Sequence, residues 1–110
     1  MKIESDLMRG AGPVAVLRLL EGGEKYGYEL VQALEKQSDG VLAMGQSTLY
    51  PLLYNLEAKG LIASRTAMAG NGRERRYYWL TGNGKKKLIA ATEQWQSLAA
   101  AMAKLGVLGT

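Results

Sequence analysis

The chain contains no cysteine and no histidine. Without cysteine there is no disulfide, no thiolate nucleophile and no zinc-finger cluster. Without histidine the commonest general base and the commonest transition-metal ligand are missing. No motif sets a pair of carboxylates in catalytic spacing, and Glu29 and Glu93 read as ordinary helix-surface acids. We therefore expect no catalytic residues, no metal and no cofactor. Apolar runs stay well short of the roughly 18 residues a membrane span needs. The first ten residues, MKIESDLMRG, carry acids where a secretory signal requires an apolar core. A cytoplasmic protein with no membrane partner is expected. Internal repeats are absent, and only the alanine-rich 99–103 approaches low complexity. Gly70-Asn71-Gly72 and Gly82-Asn83-Gly84 lack the strand–loop–helix setting of a phosphate loop, which argues against nucleotide binding.

What remains is a chain of 110 residues, near the size of one core, with an ordinary 47% hydrophobic share. Its net charge is +4, unevenly placed. Arg65, Arg73, Arg75, Arg76, Lys85, Lys86 and Lys87 share the segment 65–87 with a single acid, Glu74, so that segment carries +6 and the rest −2. A basic stripe on a slightly acidic body is the electrostatic footprint of a phosphate partner, though a solvated surface run would look the same.

Apolar spacing predicts the elements. A first helix is expected over Asp6 to Leu20, with Pro13 and two glycines weakening its first half and Gly22-Gly23 ending it. A second runs from Gly27 to Lys36 or Gln37, followed by Ser38-Asp39-Gly40 turn chemistry. Val41 to Met44 is short and apolar, and is expected as a minimal edge strand. Next comes GQSTLYPLLYNLEAKG, Gly45 to Gly60, around which the chain is organised. Leu49, Leu52, Leu53 and Leu56 make one apolar stripe at helical spacing, while Ser47, Thr48, Tyr50, Tyr54 and Asn55 fall off it. Pro51 sits about one turn in, where its missing donor is tolerated at some cost, with Gly45 or Gln46 as cap. Lys59 and Gly60 end the helix, a cation in the last turn followed by a glycine stop.

Leu61 to Met68 and Arg73 to Leu80 are strand-like and flank Asn71-Gly72, the pair a tight hairpin turn prefers because both positions take positive φ. Tyr78 and Leu80 are assigned to the inward face, Tyr77 and Trp79 to the other. From Thr81 to Leu105 a long helix is expected, loosened at its start by Gly82 and Gly84. Within it Leu88, Ala91, Trp95, Leu98, Met102 and Leu105 step as a heptad seam for pairing with the first helix and with a symmetry mate. Val107 to Thr110 are expected to fray. The fold class is mainly α (α+β): a winged helix-turn-helix over 1–81 with a two-stranded β wing, and a C-terminal dimerisation helix over 82–110, forming one structural unit. The polar face of the helix at Gln46 and the arginine-loaded hairpin together suggest a helix that enters DNA.

Four blocks then carry a likeness: Tyr26-Gly27-Tyr28-Glu29-Leu30; Ser47-Thr48-Leu49-Tyr50-Pro51-Leu52-Leu53; Leu56-Glu57-Ala58-Lys59-Gly60-Leu61-Ile62; and Arg75-Arg76-Tyr77-Tyr78-Trp79-Leu80-Thr81 with Gly84 shortly after. In this order and spacing the chain resembles the PadR family of bacterial transcriptional regulators over most of Leu7 to Leu105. Ser47 stands where that family often has glycine, and Gly82-Asn83 replaces a more usual acidic pair. The resemblance implies a homodimer that represses a nearby operon at a pseudo-palindromic operator in double-stranded DNA and lets go on binding a small molecule. With a single helix after the wing, the chain resembles the short, multidrug-binding branch. There a tryptophan on the last helix lines a flat pore at the dimer centre, and Trp95 holds the corresponding place.

Candidate DNA contacts follow. Ser47, Thr48 and Tyr50 lie near the start of the recognition helix, where hydroxyls either meet DNA or merely cap. Asn55 and Lys59 suit the DNA backbone. Tyr26 and Tyr28 either reach a phosphate or are core with a wet hydroxyl. Arg73, Arg75 and Arg76 on the wing suit phosphates or the minor groove. Asn71 suits turn chemistry, and Lys85 to Lys87 either flank DNA or are solvated. Trp95 either stacks on a planar aromatic ligand or is plain dimer core. On the ligand reading its helpers are Met8, Ala11, Val14, Ala15, Leu98, Ala99 and Met102. The alternative function is a hydrophobic-compound or protein-binding module without gene regulation, which leaves the basic wing without a purpose.

Overall fold

Residues 1–109 are described by a computed structural model. They form helix α1 (Ser5–Glu21), strand β1 (Lys25–Tyr26), helices α2 (Gly27–Gln37) and α3 (Gln46–Ala58), strands β2 (Ile62–Met68) and β3 (Glu74–Leu80), and helix α4 (Gly82–Lys104). The three strands make one antiparallel sheet in the order β1-β3-β2, with Lys25 opposite Tyr78, Tyr26 opposite Tyr77, and Arg65 opposite Tyr77 from the other side. This is the winged helix-turn-helix expected, with one strand reassigned. The edge strand is Lys25–Tyr26; Val41 to Met44 form no strand. The apolar run there serves differently, with Met44 buried in the core and Leu42 half-buried.

The core is aliphatic: Val16, Leu17 and Leu20 of α1, Leu30 and Leu34 of α2, Leu49, Leu53 and Leu56 of α3, Ile62 and Leu80 of the sheet, and Leu88 of α4. Pro13 and the glycines do not break α1. Gly12 is buried where α3 crosses, and a Cβ there would stand 3.1 Å from Leu52 Cδ1. Tyr26 begins α2, its N–H donating to Glu29 Oε1 at 3.0 Å, so Glu29 closes a helix end rather than lying idle. The end of α3 closes on Gly60 at φ 74°. There the Leu61 N–H reaches Leu56 O at 3.0 Å and the Gly60 N–H reaches Glu57 O at 2.9 Å, a Schellman closure.

The wing turn is wider than the two-residue turn expected. Ala69 N–H donates to Arg73 O at 2.7 Å and Gly72 N–H to Ala69 O at 3.0 Å, and of the pair Asn71-Gly72 only Gly72 has positive φ. This is the three-residue loop in which a left-handed glycine makes a bulge. Asn71 Oδ1 accepts from the Arg73 N–H at 3.0 Å, so its side chain is spent on the turn.

The start of α4 is tightly defined, against the expectation that its glycines loosen it. Thr81 Oγ1 accepts from the Gly84 N–H at 3.0 Å and donates to Gly60 O at 2.7 Å, which fixes the new helix to the end of α3. At the other end Val107 N–H donates to Met102 O at 2.9 Å and Gly106 N–H to Ala103 O at 3.0 Å, so Val107 turns back onto the helix instead of fraying. Thr110, also expected to fray, lies outside the described residues.

Candidate nucleic-acid interface

One side of α3 faces the wing across an open groove of about 1040 Å³. A helix repeats every 3.6 residues, so Gln46, Tyr50, Tyr54 and Glu57 fall in a row beside the buried leucines and line this groove. Tyr26 and Tyr28 enter from the start of α2, and Arg73, Arg75 and Arg76 from β3. Gly27 permits the closest approach: a Cβ there would lie 2.7 Å from Tyr50 Cε1, so the absence of a side chain lets the Tyr50 ring lie against α2. β1 pairs only with Tyr77 and Tyr78, so on that side β3 presents residues 74–76 to the groove without a strand neighbour.

The arginines are held in distinct ways. Arg73 makes no ion pair among the described residues. The Arg75 guanidinium lies over the Tyr26 ring, 4.3 Å from its centroid. Tyr26 meets Tyr77 edge-on at 5.7 Å, and Arg65 covers Tyr77 at 5.2 Å while pairing with Glu24. Arg76 Nη1 donates to Ser64 Oγ at 2.8 Å. Tyr78 lies beneath the groove, and burial pushes its hydroxyl above the ordinary tyrosine range; Arg76 opposes that rise, while Glu57 and Tyr50 add to it.

Of the residues anticipated as DNA contacts, the groove gathers Tyr26, Tyr28, Tyr50, Arg73, Arg75 and Arg76. It leaves out Ser47, which is exposed on the outer face of α3. Asn55 is exposed off the groove, Thr48 borders a second cavity beside the N-terminal residues, and Lys59 caps α3 near Lys87. Gln46, Tyr54 and Glu57 were not anticipated; their signal was the spacing of 46, 50, 54 and 57 alongside the leucine stripe.

A further, smaller cavity of about 320 Å³ lies between α1 and α4, lined by Ala11, Val14, Ala15, Arg18, Leu42, Leu88, Thr92 and Trp95. Four of the anticipated ligand residues therefore meet there. Met8 packs against the core and borders the N-terminal cavity instead. Leu98, Ala99 and Met102 lie further along α4, outside this cavity. The heptad seam divides in the same way. Leu88 and Ala91 are buried within their own chain, whereas Trp95, Leu98 and Leu105 are 40%, 51% and 77% exposed.

The profile of the "Transcriptional regulator PadR-like family" matches residues 16–90, from the core of α1 through the start of α4. The chain belongs to the PadR family. A transcriptional regulator from Clostridium thermocellum superposes with a TM-score of 0.83 at 30% identity, covering 91% of this chain and 97% of that one. A PadR family transcriptional regulator from Eggerthella lenta superposes at 0.80 with 35% identity, covering 91% and 85%. In sequence, an uncharacterized protein of Lysinibacillus sphaericus is 30% identical over 84% of this chain and 85% of its own length. The negative transcriptional regulator PadR of Bacillus subtilis is 34% identical over 67% of this chain but only 41% of its own length. This PadR protein is thus a transcriptional regulator and not an enzyme, and a binding module without gene regulation is set aside. Among the described residues, no helix is long and apolar enough to cross a membrane.

Proposed function

We propose that this PadR protein is a homodimeric repressor that grips double-stranded DNA with α3 and the wing and releases it when a planar apolar compound occupies the cavity at Trp95. The groove carries the first half of this reading. It sets five tyrosines and three arginines around one face of α3, donors suited to phosphate and base-edge contacts. The Bacillus subtilis relative, a negative regulator, supports the direction of control. The row Trp95, Leu98 and Leu105, left open beyond the chain's own core, supports pairing of α4 with a second copy, since such a row in water marks an association surface. A pair so formed would hold two α3 helices about one DNA turn, roughly 34 Å, apart. The ligand acts only through unequal affinity for the two arrangements of that pair.

The test is DNA binding as a function of salt. Wild type and Arg73→Ala are titrated with a labelled duplex drawn from upstream of the protein's own gene. Each lost phosphate contact lowers the salt slope by about 0.9, so Arg73→Ala should bind more weakly and with a shallower slope. Equal affinity and slope would remove the wing from the interface.

A further inference from the structure

Arg76 is exposed, yet it is not a free cation. Its Nη1 donates to Ser64 Oγ at 2.8 Å, and Ser64 Oγ donates in turn to Glu57 Oε2 at 2.8 Å. A serine hydroxyl has one proton to give and lone pairs to receive, so the chain can run only from guanidinium through hydroxyl to carboxylate. It crosses three elements: Arg76 on β3, Ser64 on β2, and Glu57 on the last turn of α3. Glu57 is the sole acid of α3, and it is half-buried in the groove, where the other acid is the exposed Glu74 of the wing and most of the remaining lining is tyrosine and arginine. A carboxylate at this place opposes any phosphate that enters.

The geometry points to Glu57 as a positioning residue that, through Ser64, holds Arg76 towards α3 and offsets its charge, so that the wing meets phosphate with less than its full complement of arginines. The inference rests on the groove being the DNA site. Its consequence is a limit on sequence-independent affinity. Phosphate contacts supply essentially all of non-specific binding, and a regulator must find one site among a great excess of others. Restraining one arginine weakens the hold on arbitrary DNA while leaving Gln46, Tyr50 and Tyr54 on the same face of α3 untouched.

The experiment is fluorescence anisotropy with a duplex of random sequence across about 50 to 200 mM salt, using the full chain. Glu57→Gln should bind more tightly, with a salt slope steeper by about 0.9, so that its affinity falls about threefold further across that range. Ser64→Ala should reproduce the gain, and Ser64→Thr, which keeps the hydroxyl, should behave as wild type. The gain should vanish in the double variant Glu57→Gln/Arg76→Ala. A slope unchanged in both Glu57→Gln and Ser64→Ala overturns the inference while leaving the DNA reading intact. So does a gain that persists without Arg76, since Glu57 would then act as a bulk like charge. A wild-type protein with no salt-dependent binding to any duplex overturns both.

Discussion

Gly84→Ala tests how α4 is attached to the winged helix-turn-helix. The first turn of α4 passes so close to the sheet that a Cβ on residue 84 would stand 2.0 Å from Leu61 O, 2.7 Å from Leu80 Cδ1 and 3.0 Å from the Leu61 carbonyl carbon. The nearest of these atoms is backbone, so no flexible tip can swing aside, and the helix must lift by more than an ångström. Lifting it disturbs two further bonds: Thr81 N–H to Leu61 O at 3.2 Å, and Gly84 N–H to Thr81 Oγ1 at 3.0 Å. Overpacking costs about 1–3 kcal/mol and a lost cap about 1 kcal/mol, while the gain in helix propensity returns roughly 1 kcal/mol. The expected net loss is about 1–3 kcal/mol. Two residues earlier a Cβ on Gly82 meets nothing within 4 Å, so Gly82→Ala should be neutral or stabilising by up to about 1 kcal/mol. Urea unfolding followed by far-UV circular dichroism, at one protein concentration, measures both. If Gly84→Ala unfolds at the same urea concentration as Gly82→Ala, the close approach does not constrain the helix and the reasoning fails.

Gly27→Ala brings a Cβ to 2.7 Å from the Tyr50 ring, which can swing away, so stability should fall by less than about 1 kcal/mol while DNA affinity drops severalfold. Wild-type affinity in a folded Gly27→Ala would show that the Tyr50 pose is unimportant. Trp95→Ala should weaken planar aromatic compounds by about tenfold, the worth of one aromatic stack, with the far-UV spectrum unchanged; ligand affinity equal to wild type would return Trp95 to a packing role. Tyr78 holds its proton more tightly when folded than the ordinary 10.0 of a tyrosine. Its contribution to stability is therefore complete below about pH 10 and is lost as pH rises through the raised value, because only the unfolded chain ionises freely there. Tyr78→Phe should then lose stability less steeply than wild type above about pH 10 in urea melts, and parallel losses would contradict the shift.

The main divisions of the fold were legible because each rests on a local rule. The leucine stripe of α3, the stop at Gly60, the two long strands and the span of α2 follow from periodicity and turn chemistry within a few residues of one another. The misread segments are those where a distant partner decides. Lys25–Tyr26 is too short to announce itself and is a strand only because β3 lies beside it. Val41 to Met44 has a strand's composition but no strand beside it to pair with, and it sends Met44 into the core. Gly84 looks like a weak helix start and is instead the one residue type that fits against Leu61 O.

The candidate site divides along the same line. Sequence alone determined that the chain has no thiol or imidazole chemistry, that its positive charge gathers on the hairpin, and that α3 keeps one polar side. These are properties of composition and spacing, which no packing can alter. Only the tertiary structure decided which residues on that polar side share the groove with the arginines. The angle at which the wing meets α3 admits Gln46, Tyr54 and Glu57 and turns away Thr48, Asn55 and Lys59. It also decided that the heptad seam begins inside the chain's own core at Leu88 and Ala91 and leaves it at Trp95. Periodicity assigns a residue to a face of its own helix; what stands opposite that face depends on contacts made far along the chain.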